Sequence, residues 1–133
     1  MALLIGVLLA LAVGVSATRT GLDRERGFYT TVTIVIAGLY GLFAVMGGSY
    51  QALMIESLVG VVFVVVAIVG FRSSLWLVVA ALLLHGLFDF ARGAAINNPG
   101  VPPWWPHFCL TYDVTAAAYL AWLLQSKRLR AKA

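Results

Sequence analysis

The 133 residues are 62% hydrophobic and only 11% charged, which excludes an ordinary soluble domain and points to an integral membrane protein. The formal charge of +4 is spread over the ends of apolar runs. That placement argues against nucleic acid as a partner and for contact with anionic membrane lipid.

Five apolar runs, at about 1–18, 28–48, 51–71, 75–96 and 106–126, each come close to the ~20 residues that cross about 30 Å of hydrocarbon. They are too long and too continuously apolar for the alternating strands of a membrane barrel. Short connections leave no room for a soluble domain. The expectation is therefore all-α: a single transmembrane domain of five helices over residues 1–133.

The first run carries Gly6, Ala10 and Gly14 at four-residue spacing, a face on which another helix can approach closely. It lacks a basic segment ahead of its apolar stretch, so "VSA" at 15–17 is a weak cleavage signal and the run reads as a retained helix. The second run repeats the small-residue spacing with Ala37 and Gly41 and offers the hydroxyl of Tyr40. Neither run holds an intramembrane charge, and both read as scaffold. Intramolecular packing is favoured over a dimer interface for these faces, although a homo-oligomer stays open.

The third run contains Glu56. The fourth ends in "HGLFDFARG", where the four-residue step puts His85 and Asp89 on one helix face and Arg92 continues it outward. The loop "NNPGVPPWWPHF" follows, stiff for its length because of its prolines. Trp104 and Trp105 belong either to an interfacial aromatic belt or to a lid. The fifth run opens near Pro106 and His107, carries Tyr112 and Asp113, and continues through Ala116, Ala117, Ala118 and Ala121. Counting about 1.5 Å per residue from the outer helix ends places Glu56, Asp89 and Asp113 at a common depth of about 10 Å.

Eight of the nine basic residues, Arg19, Arg24, Arg26, Arg72, Lys127, Arg128, Arg130 and Lys132, follow runs one, three and five; only Arg92 lies on the other side. By the positive-inside rule the N-terminus is outside and the C-terminus cytoplasmic, as for a multi-pass protein of the plasma (cytoplasmic) membrane.

Ionised groups inside a membrane must face inward and pair, and their default reading is functional. The expected site is an outward-facing polar chamber built by the third, fourth and fifth helices. Within it His85, Asp89, Glu56 and Asp113 would divide acid and base roles, because a histidine beside carboxylates in a low-dielectric pocket tunes proton affinities toward neutral pH. Arg92, His107, Tyr112, Trp104 and Trp105 would contact a lipophilic small molecule. Isomerisation, cyclisation and lipid hydrolysis all suit such a site, and the residues do not choose among them.

Other readings stay open. A Zn, Mn or Fe ion on His85 and Asp89 is conceivable, but there is no His-Glu-x-x-His or Glu-x-x-His motif, and Cys109 is the sole cysteine; whether there is a cofactor is left open. Intramembrane acids with a histidine also serve proton- or cation-coupled transport. An accessory subunit would use the same groups as structural pairs, Asp89 with Arg92 and Glu56 with His85.

The set "HGLFDF", then "PWWPHFCLTYD", then a small-residue helix resembles a family of small bacterial polytopic membrane proteins that carry a domain of unknown function, over nearly the whole chain. That resemblance implies the membrane fold and no activity. In helix number and residue type, though not by motif, the chain is also similar to the emopamil-binding sterol isomerases. The similarity implies His and Glu acid–base residues at membrane depth.

Overall fold

The computed structural model describes residues 1–133, the side chain of Ala94 apart. Five helices run in chain order: α1 (Ala2–Thr20), α2 (Gly27–Met46), α3 (Tyr50–Arg72), α4 (Trp76–Ala91) and α5 (Trp105–Gln125), with short 3-10 turns at Leu22–Arg24 and Arg92–Ala94. Among the described residues no strand forms; the one β contact is an isolated antiparallel bridge between Ser74 and Lys132.

Local chemistry sets the boundaries. α1 stops at Gly21, whose φ of 83° is left-handed and inexpensive only for a residue without Cβ. α3 starts at Ser49, whose hydroxyl accepts a hydrogen bond from the Ala52 amide at 3.2 Å, satisfying one of the free donors of the first turn. α4 ends five residues before the position expected from hydropathy. At Arg92 the helix tightens, and the Arg92 carbonyl accepts from both Ala95 and Ile96 amides at 2.8 and 2.9 Å. Gly93 weakens the helix there, and the Asn97-Asn98-Pro99 segment turns the chain away.

The helices form an open ring. α1 packs on α5, α5 on α4, α4 on α3 and α3 on α2, while α1 and α2 scarcely touch. Small residues set the close contacts. Gly6, Ala10, Gly14 and Ala17 are the buried residues of α1; Gly6 lies against the Phe108 carbonyl and Thr111, and Gly14 against the Tyr119 ring. The small-residue face of the first helix is thus used within the chain. Leu75, Val78, Leu82, Cys109, Ala116, Leu120 and Leu123, with Tyr29 and Ile36 from α2, make the central core.

The exterior is apolar. Leu3, Leu4, Leu8, Val61, Val62, Val65, Leu84 and Leu87 are among the exposed side chains, whereas Glu56, His85, Asp89, Arg92 and Asp113 are buried. α1, α2 and α3 are long and apolar enough to cross a membrane. α4 is apolar but has only 16 residues, about 24 Å of helix.

Below α5 the chain folds back. The Leu75 amide donates to the Ala131 carbonyl at 2.8 Å and the Ala133 amide to the Ser73 carbonyl at 3.1 Å. Arg26 clamps this end, donating to the carbonyls of Arg130, Ala131 and Phe71 at 2.6, 2.9 and 2.8 Å. The basic end of the chain is docked rather than trailing.

Candidate functional site

The expected single chamber is resolved into two adjoining polar clusters. In the first, His85 and Asp89 project from one face of α4 onto Cys109 and Asp113 of α5. His85 Nδ1 lies 2.8 Å from Asp113 Oδ2 and 3.3 Å from Asp89 Oδ2. The Cys109 thiol donates to Asp113 Oδ2 at 3.7 Å. All four are buried, Asp113 completely. What lets α4 and α5 meet here is Gly86: a Cβ on it would stand 2.9 Å from the Asp113 Cβ. Phe63 of α3 closes the cluster edge-on, its ring 4.8 Å from that of His85.

The second cluster lies toward the C-terminal end of α4, where Arg92 follows Asp89 by three residues. Glu56 of α3 pairs with the Arg92 guanidinium. Asn98 of the loop donates from Nδ2 to Glu56 Oε1 at 3.1 Å and to the Tyr40 carbonyl at 3.0 Å. The Arg92 guanidinium also lies over the Tyr40 ring, 4.1 Å from its centroid, a favourable stacking for a desolvated cation. Tyr40 joins the clusters, since its ring is 6.4 Å from that of His85.

Several expectations are corrected by this arrangement. The pairs Asp89–Arg92 and Glu56–His85 do not form. Arg92 takes Glu56 of α3 instead. Arg92 is itself buried, 4% exposed. α2 is not mere scaffold, since Tyr40 supplies both a ring and a carbonyl.

The aromatic and outer residues disperse. His107 is exposed and meets the edge of Phe90 at 5.6 Å. Trp104 is exposed. Trp105 turns inward against Phe43, edge-on at 4.9 Å. The loop is tied down: Gly100 fits so tightly over the Phe43 carbonyl and Gly47 that there is no space for a Cβ. Beneath it, a shallow cleft of about 420 Å³ reaches Arg92 and Asn98.

A further cavity lies elsewhere. It is a cleft of about 610 Å³ in the gap between α1 and α2, floored by α5. Its walls are apolar, with Leu9, Val35, Leu39, Trp105, Tyr112 and Cys109 among them. His85, Asp89 and Asp113 do not line it; Cys109 does, and it alone belongs to both cleft and first cluster. Sequence reasoning passed over Cys109 because one cysteine makes no motif. The available signal was its four-residue step to Asp113, the same step that joins His85 to Asp89.

Compared with protein-family models, curated proteins and solved structures, the chain matches none.

Proposed function

We propose that this chain is a five-span membrane protein, N-terminus outside and C-terminus cytoplasmic, that holds a lipophilic small molecule in the cleft between α1, α2 and α5 and carries out proton transfer on it. The observation that carries this reading is the position of Cys109. Cys109 is part of the lining of the apolar cleft, and its thiol contacts Asp113 in the His85–Asp89–Asp113 cluster. An apolar ligand in the cleft therefore lies one side chain from a histidine and two carboxylates, groups suited to general acid and base roles. Cleft size and lining agree with small-molecule sites, which are mostly apolar with a few placed polar groups. Glu56 and Arg92 take a supporting part, tying α3 to the outer loop.

Membrane insertion is supported by the three long apolar helices and by the inverted pattern of apolar exterior and charged interior. α4 reaches the outer surface through the segment after Ala91, and α5 tolerates its polar residues because Asp113 faces inward.

The test is mass spectrometry of lipophilic molecules that co-purify with the protein, on wild type and on Val35→Trp, which fills the cleft without touching the first cluster. A species enriched over bulk lipid in wild type and depleted in Val35→Trp supports the reading. Identical lipid profiles in both would overturn it.

A further inference from the structure

Two carboxylates, an imidazole and a thiol share one buried volume with too few partners. A ring nitrogen of His85, the Sγ of Cys109 and one oxygen each of Asp89 and Asp113 all lie within 4.8 Å of one another. The cation of the second cluster does not relieve them, because Arg92 is committed to Glu56. Both oxygens of Asp89 and the Oδ1 of Asp113 accept no hydrogen bond, although these side chains are 1% and 0% exposed. One imidazole, 2.8 Å from Asp113 and 3.3 Å from Asp89, faces two buried carboxylates, so at most one of their charges is compensated, and an uncompensated buried carboxylate is strongly disfavoured unless it coordinates a metal. Nothing local requires them here: an apolar pair would pack α4 on α5 without that penalty.

We propose that His85, Asp89, Cys109 and Asp113 form a buried site for one divalent transition-metal ion, with Zn²⁺ the best match. The donor set is one nitrogen, one sulfur and two oxygens, which suits a borderline-soft ion without strong geometric preference. Around a tetrahedral ion with Zn–N, Zn–O and Zn–S bonds of about 2.0–2.3 Å, neighbouring donors stand ~3.3–3.7 Å apart. Two of the separations already match, 3.3 Å between His85 Nδ1 and Asp89 Oδ2 and 3.7 Å between Cys109 Sγ and Asp113 Oδ2. The His85–Asp113 hydrogen bond, at 2.8 Å, would open by about half an ångström, and the longest separation would close by about one.

Charge points the same way. Zn²⁺ with two carboxylates and a neutral imidazole and thiol sums to zero; with the thiolate, the form that binds metal best, it sums to −1. Each residue comes as half of an i, i+4 pair on one of two facing helices, so the helices themselves hold the ligands at fixed spacing. The ion would take the His85, Asp89 and Asp113 side chains to which the proposed function gives proton transfer, leaving the second carboxylate oxygens for that role, and its binding requires no ligand in the cleft.

The experiment uses the full chain purified in detergent, stripped with a chelator and loaded with one equivalent of Zn²⁺ or Co²⁺. Wild type is expected to retain one ion per chain through gel filtration. Its Co²⁺ form should show a sulfur-to-cobalt charge-transfer absorption. Cys109→Ser removes that band, and Asp89→Asn weakens affinity by more than about 100-fold, as loss of a direct ligand should exceed the 10- to 100-fold typical of outer-shell partners. Monodisperse wild type that retains neither ion, or a Co²⁺ form without a sulfur band, overturns the proposal. Because both of those results are read on wild type alone, they hold even if the two variants fail to fold. Val35→Trp, which fills the cleft, is expected to bind the ion as wild type does, so the two proposals fail separately.

Discussion

Gly86 and Asp113 face each other across the α4–α5 contact so closely that a methyl group on the glycine would stand 2.9 Å from the Asp113 Cβ and 3.2 Å from the Leu110 carbonyl. The polar cluster depends on this contact: any side chain on Gly86 pushes α5 away and lengthens the 2.8 Å link from His85 to Asp113.

Gly86→Ala is therefore expected to destabilise the protein by about 1–3 kcal/mol, the usual cost of overpacking. Gly38→Ala serves as control, because a Cβ there meets nothing within 4 Å. Thermal unfolding in detergent, followed by circular dichroism, reads the difference, and equal midpoints for the two variants would contradict the close contact.

Glu56 and Arg92 form a desolvated ion pair that should be costly to break and cheap to replace. Removing one partner leaves a buried charge, at a cost of about 3–5 kcal/mol. Glu56→Gln and Arg92→Met are each expected to lower stability strongly, and the double variant to recover part of the loss. A double-mutant cycle measures this coupling, and simple additivity of the two losses would mean that the pair does not act as a unit.

Asn98 holds the loop between α4 and α5 through its two bonds to the Tyr40 carbonyl and Glu56. Asn98→Ala leaves both acceptors without this partner, and a loss of about 1–3 kcal/mol is expected. Amide hydrogen exchange should rise in the segment 95–104 while the middle of α5 stays protected. Uniformly raised exchange would instead indicate global loosening.

Sidedness can be read with cysteines introduced at exposed positions, Asn97→Cys in the outer loop and Ser126→Cys after α5. Buried Cys109 is shielded from a membrane-impermeant reagent. The proposed orientation predicts labelling of Cys at 97 from outside intact cells and of Cys at 126 only after lysis. The reverse pattern would invert the whole topology.

Much of this architecture is written locally. Apolar runs mark all five helices, and the four-residue step from His85 to Asp89 places both on one face. Asp113 was legible as an inward-facing acid because a charge deep in an apolar helix has few alternatives. The partnerships were not legible. Equal depths for Glu56, Asp89 and Asp113 say nothing of rotation about each helix axis, so the division into two clusters follows from packing between distant segments. Arg92 escaped because its partner Glu56 lies on another helix, and Asn98 because an asparagine in a proline-rich loop reads as a turn former. Cys109 was passed over for want of a second cysteine, although its neighbours in space are an acid on its own helix and a histidine on the next.

The seating of Gly100 on the Phe43 carbonyl locks together two hairpin tips, the α2–α3 turn and the α4–α5 loop. A barrel hooped at one rim opens along its staves, and here the loose seam is the one between α1 and α2. For a chain held in a bilayer, a guest would arrive sideways, having first dissolved among the acyl chains. Its supply would then be governed by its partition coefficient rather than by its concentration in water, and the protein would in effect sample what the lipid has already gathered.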